Sequence, residues 1–139
     1  METRGQHLLA EYYGCPSAVL NDEGAIRALL QRAAQVAGAT VVATVFHRFA
    51  PQGVSGVVVV EESHLSIHTW PEAGYAAVDF YTCGECFPER AHEVLMEGLE
   101  PDQSEFLRID RGLSRNNSIQ VGRHARFGML ARAAGHEPR

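Results

Sequence analysis

Between residues 40 and 83 the chain is dominated by β-branched and aromatic side chains, interrupted by Pro51-Gln52-Gly53 and by the stretch from Pro71 to Gly74. Such side chains fit the pleated, half-buried surface of a sheet, while proline and glycine close together end strands. The pattern predicts strands near 40–50, 54–62, 64–70 and 75–83. Four consecutive strands this short favour an antiparallel sheet.

The flanks supply helices. His7 to Tyr13 reads as an opening strand, followed by the turn-like Gly14-Cys15-Pro16. Asn21 or Asp22 can cap a helix in which Ala25, Ile26, Leu29, Leu30, Ala33, Val36 and Ala37 recur at helical spacing, with Gly38 as its stop. Pro88 suits a second helix start, Ala91, Val94, Leu95 and Leu99 mark its buried face, and Pro101 ends it before a last strand over roughly Glu105 to Ile109. The order β-α-β-β-β-β-α-β predicts an α+β fold, a two-layer sandwich with a mostly antiparallel sheet and two helices on one face. The other sheet face then needs a cover, which a partner subunit would supply. Residues 113–139, with Asn116-Asn117-Ser118 and scattered glycines, lack periodicity and read as a partly ordered tail.

At 139 residues the chain suits one domain with a sizeable core. The longest strongly apolar run, Val57 to Val60, is far short of a membrane span, and the N-terminus lacks a signal-peptide pattern, so a cytoplasmic protein with no membrane attachment is expected. Cys15, Cys83 and Cys86 are then reduced thiols rather than a disulfide framework. The net charge is −5, although residues 111–139 hold six arginines against the single acid Glu137. An acidic body argues against a general nucleic-acid binder and suits a cationic small molecule. All twelve basic residues counted as lysine or arginine are arginine. Pyridoxal phosphate enzymes hold their cofactor on a lysine, so this chain cannot be one of them.

Reactive side chains concentrate in Glu61-Glu62-Ser63-His64-Leu65-Ser66-Ile67-His68-Thr69-Trp70. Strand alternation puts His64, Ser66 and His68 on one side, with Ser63 at the strand's entrance. Taken singly, a serine at a strand turn and a histidine on a half-polar strand are ordinary. No metal site is expected from His64 and His68, which lie four strand rises or roughly 13 Å apart. Cys83 and Cys86 form one Cys-x-x-Cys pair with no second pair to complete a zinc site, and buried thiols are the plain reading of Cys86 and Cys15. Gly53-Val54-Ser55-Gly56-Val57 misses the Gly-x-Ser-x-Gly elbow of serine hydrolases.

The combination is more specific than its parts. Phe46-His47-Arg48-Phe49, Gly53 to Val60, Glu62 to Glu72, Gly74 to Asp79 and Thr82-Cys83-Gly84 together closely resemble the prokaryotic S-adenosylmethionine decarboxylase proenzymes. The resemblance runs more loosely from Gly5-Gln6-His7-Leu8 to Arg111-Gly112, about four fifths of the chain, and implies a decarboxylase-like domain over 1–112 with a divergent arginine-rich tail over 113–139. It implies self-cleavage between Glu62 and Ser63, with Ser63 becoming a covalently bound pyruvoyl group. That carbonyl forms a Schiff base with the substrate amine and accepts the electrons of the departing carboxylate, which removes the need for a lysine. The resemblance makes His68 the base for processing, a role suited to imidazole near neutrality. Ser55 matches a residue that assists processing, and Cys83 matches the proton donor in turnover, a task within a thiol's reach. Phe49 and His68 are the candidates for stacking on adenine, and Glu72 for binding ribose hydroxyls, while a core ring and a solvated turn carboxylate are the plain alternatives for Phe49 and Glu72. Trp70 is a further aromatic face for a sulfonium.

The implied reaction converts S-adenosylmethionine to the decarboxylated aminopropyl donor of spermidine synthesis, in an assembly of at least two cleaved chain pairs. Two other readings share the sequence. A pyruvoyl enzyme acting on ornithine or arginine would keep the processing serine and use Glu72 or Asp79 to pair the substrate's distal cation. A binding protein on the same sandwich would keep the fold without cutting itself.

Overall fold

The computed structural model describes residues 3–83, 85–113 and 119–125. The expected strands form: β1 (Gly5–Tyr13), β2 (Val41–Arg48), β3 (Val54–Val60), β4 (Ser63–Trp70), β5 (Tyr75–Cys83) and β6 (Gln103–Arg111). They join with β7 (Ile119–Ala125) in one antiparallel sheet of order β2-β3-β4-β5-β1-β6-β7. The first strand therefore inserts between β5 and β6 and closes the sheet's centre.

Among the described residues, three α-helices accompany the sheet. The long α2 (Glu23–Val36) starts where Asp22 accepts the amide of Ala25 at 3.0 Å, one of the orphan donors of a helix start. Its Ile26, Leu30, Ala33 and Ala34 are buried, as are Ala91, Val94, Leu95 and Leu99 of α3 (Pro88–Leu99). The two helices pack on each other and on one sheet face. Their approach is close: a side-chain carbon on Gly98 would come within 2.3 Å of Leu29. Val54, Val58, Leu65, Ile67, Phe80, Leu8 and Tyr12 fill the layer between helices and sheet. The two-layer α+β architecture is thus as the sequence predicts. No described helix is long and apolar enough to cross a membrane.

Two elements differ from expectation. A four-residue helix, α1 (Ser17–Leu20), follows Pro16 and is too short to leave a periodic trace. Residues 119–125, expected within an irregular tail, form β7 against β6. Gly122 weakens the strand pattern in the sequence, yet the fold requires it, because a Cβ there would fall 2.5 Å from the Phe106 ring. The rest of the predicted tail lies outside the described residues.

Among the described residues, the second sheet face carries no helix. Val45, Val57, Val59, Leu9 and Trp70 stand exposed on it beside a set of polar side chains.

Candidate active site

The β3–β4 hairpin turns through Glu61-Glu62, with Val60 paired to Ser63. Ser63 has φ 156°, uncommon for a residue bearing a Cβ. The Glu62 carbonyl, to which Ser63 is joined, accepts the Cys83 amide at 3.1 Å and the Cys83 thiol at 3.2 Å. Two donors aimed at one carbonyl oxygen polarise it and can stabilise negative charge there. Ser63, Glu62 and Cys83 thus come together at one end of β4.

Ser55 and His68 form a second group. They are directly opposite in the β3–β4 register, and Ser55 Oγ lies 2.8 Å from His68 Nδ1. Phe49, 45% exposed, meets His47 edge-on at 4.6 Å, and its amide donates to the Gly53 carbonyl that precedes β3. Glu72 is exposed in the single helical turn Pro71–Ala73 that follows β4. Trp70, the last residue of β4, is stacked on Tyr75 at 5.2 Å, which in turn stacks on Tyr13 at 5.7 Å. This ladder is tied down by hydrogen bonds from Tyr75 to Glu11 and from Tyr13 to Glu105, the latter 3.1 Å long.

The two groups do not meet within one chain. Ser63 and His68 are five strand rises apart, about 16 Å. The resemblance assigned them to one reaction, whereas β4 holds them at its opposite ends.

Between the groups lies a network that sequence reading missed. Asp79 on β5 lies 2.7 Å from His7 Nε2 and 2.9 Å from His64 Nε2, and it also accepts the Ser66 hydroxyl. Burial alone would raise the Asp79 pKa, but the bonds from Ser66, His7 and His64 outweigh it and hold the carboxyl below its ordinary value. His7 and Asp79 are 72 positions apart and become neighbours only through the β1–β5 pairing. A groove of about 600 Å³ runs from Asp79, Ser66 and His68 to Glu105 and Val121 on this face.

The other two cysteines are differently placed. Cys15 is buried, and burial followed by the nearby Asp102 pushes its thiol up to about 12. Burial likewise raises Cys86. Both fit the reading of inert thiols.

The sequence profile of the family described as S-adenosylmethionine decarboxylase matches residues 6–112. An S-adenosylmethionine decarboxylase proenzyme of Acetivibrio thermocellus is 59% identical over 114 residues, covering 81% of this chain and 92% of its own. One from Methanococcus maripaludis is 42% identical over 121 residues, covering 86% of this chain and 99% of its own. The crystal structure of the adenosylmethionine decarboxylase from Aquifex aeolicus superposes with TM-score 0.74 at 37% identity, over 85% of this chain and 98% of that one.

Proposed function

This chain belongs to the S-adenosylmethionine decarboxylase family, and from that premise we propose that it cuts itself between Glu62 and Ser63 and decarboxylates S-adenosylmethionine in the cytoplasm, yielding the aminopropyl donor of spermidine synthesis. The single observation that carries the self-cleavage is the Glu62 carbonyl, in the peptide that joins it to Ser63, held by the amide and thiol of Cys83.

Ser63 Oγ attacks the Glu62 carbonyl carbon, the Cys83 donors take up the charge on oxygen, and the peptide C–N bond breaks to leave an ester on Ser63. A base removes the Ser63 α-hydrogen, the Cβ–O bond breaks, and Glu62 leaves as a carboxylate. Water then replaces the nitrogen at position 63, releasing ammonia and completing the pyruvoyl group. Once formed, that group supplies the electron sink for decarboxylation. Cys83, already placed at this position, supplies the proton that replaces the lost carboxylate. Residues 1–62 and 63–139 remain together through the β3–β4, β1–β5 and β1–β6 ladders.

His68 suits the base, with Ser55 orienting its ring, but the separation along β4 keeps it from the Ser63 of its own chain. A second copy resolves this. The helix-free face exposes valines, Leu9 and Trp70, and a two-fold axis near the middle of β4 would set each Ser63–Cys83 pair against His68 and Ser55 of the partner subunit. Phe49, Trp70 and Glu72 lie at the His68 end, where adenine, sulfonium and ribose need flat faces and an acceptor.

Incubation of the purified protein with S-adenosylmethionine, followed by mass spectrometry, tests the proposal. Carbon dioxide and decarboxylated S-adenosylmethionine are expected from cut chains. Full turnover by uncut protein would overturn the mechanism.

A further inference from the structure

His7, His64 and Asp79 bring two imidazole nitrogens and a carboxylate oxygen within 4.8 Å of one another, a spacing that suits a metal ion. Arg111 argues against that reading. A guanidinium only donates, so its contact with His7 Nδ1 at 3.0 Å makes that nitrogen the acceptor and puts the ring proton on Nε2. Nε2 then donates to Asp79 Oδ2 at 2.7 Å. Metal-bound imidazoles show the opposite polarity, with the outer nitrogen donating to a carboxylate or carbonyl. Asp79 is therefore the acceptor at the centre of a hydrogen-bonded cluster.

Two of its donors, His64 and Ser66, stand on the first four residues of β4. In the uncut chain that end of β4 is tethered to β3 through Glu61-Glu62. Cleavage before Ser63 would remove the tether and make it a chain terminus, and strand termini open locally at low free-energy cost. We propose that Asp79 is a positioning residue that clamps the cut end of β4 to β5 through His64 and Ser66, keeping residue 63 beside Cys83 after cleavage. Arg111 and His7, from β6 and β1, hold the carboxylate in place from the other side. The clamp rests on the self-cleavage reading above.

Hydrogen–deuterium exchange at residues 64–66 tests it without reference to turnover. Asp79→Asn is compared with wild type in cut protein, and again in an uncut Ser63→Ala background. The clamp predicts exchange faster by about tenfold in the cut variant and by less than about twofold in the uncut one, where the hairpin still holds the strand. His64→Gln, a change at a partly exposed position, should repeat the contrast and guards against a folding defect in Asp79→Asn. Equal acceleration in both backgrounds, or none in either, would overturn the clamp while leaving self-cleavage standing. A wild-type chain that never cuts overturns both, and a gel distinguishes that outcome.

Discussion

A serine beside a carboxylate-bearing residue at a hairpin is common, and Ser63 is set apart by the two hydrogen bonds that Cys83 gives to the Glu62 carbonyl. If that carbonyl is the one attacked, wild-type protein should run as chains of residues 1–62 and 63–139 on a denaturing gel, with the second blocked at its N-terminus. Ser63→Ala should run as one chain, and intact-mass measurement checks both. Cys83 serves twice in this scheme, its amide and thiol holding the Glu62 carbonyl in processing and its thiol giving a proton in turnover. Cys83→Ser keeps the amide and puts a hydroxyl donor where the thiol was, so the variant should still be cut, while decarboxylation falls by about 100-fold in steady-state assays, the usual scale for losing a general acid. Normal turnover would remove the thiol from the mechanism. Ser63, His68 and Cys83 were legible because each sits in a contiguous run whose order is specific. Asp79 was read only as an alternative partner for a substrate cation, and its contact with His7 was not legible, since nothing local couples residues 72 positions apart and only the β1–β5 register makes them touch.

The elements that could be read were those with long periodic signals. The helix from Glu23 to Val36 repeats its apolar residues over 14 positions, and four strands rich in β-branched and aromatic residues lie between marked breaks. Strand β7 escaped because Gly122, needed to make room for Phe106, reads as a break. On the helix side of the sheet, His92 of α3 hydrogen-bonds Tyr12 at 2.7 Å and meets Phe106 edge-on. Burial, and then the neighbouring His124, push its pKa down to about 4. Protonation is thus disfavoured in the folded protein, and the stability this residue contributes is fully present above its unfolded value of about 6.5 and lost as pH falls toward 4. Denaturant midpoints should drop between pH 7 and pH 5, and His92→Gln should flatten that drop. An unchanged slope in the variant would move the acid sensitivity elsewhere. On the open side, the Trp70–Tyr75–Tyr13 ladder presents a rigid aromatic face two residues beyond His68. Trp70→Leu should raise KM for S-adenosylmethionine by about tenfold with a smaller change in kcat, in keeping with the worth of a cation–π contact. A kcat loss without a KM change would place Trp70 outside the substrate face.

The whole molecule poses the question that one chain leaves open, since a reaction needing Ser63 and His68 together cannot run when β4 keeps them about 16 Å apart. The sequence offered two hints, a sheet face that two helices could not cover and a predicted strand with Ser63 at its entrance and His68 five residues along it, but not the two-fold arrangement that would join them. A self-complementary dimer answers both points, because a two-fold axis pairs opposite ends of the same strand. The arrangement makes a prediction that a single-chain site does not. Ser63→Ala lacks the nucleophile and His68→Ala lacks the base, so each expressed alone should stay essentially uncut. In a mixed dimer, however, the His68→Ala chain would place its intact Ser63 against the intact His68 of its partner. One of the two sites is then whole and the other carries both defects. Co-expression with different affinity tags and two-step purification isolates the mixed dimer. The His68→Ala chain in it should be cut, the Ser63→Ala chain should not, and activity per dimer should be about half that of wild type, as one site of two requires. If the verified mixed dimer leaves both chains uncut, the site does not cross the interface, and β4 would have to reorganise within one subunit for His68 to act on Ser63.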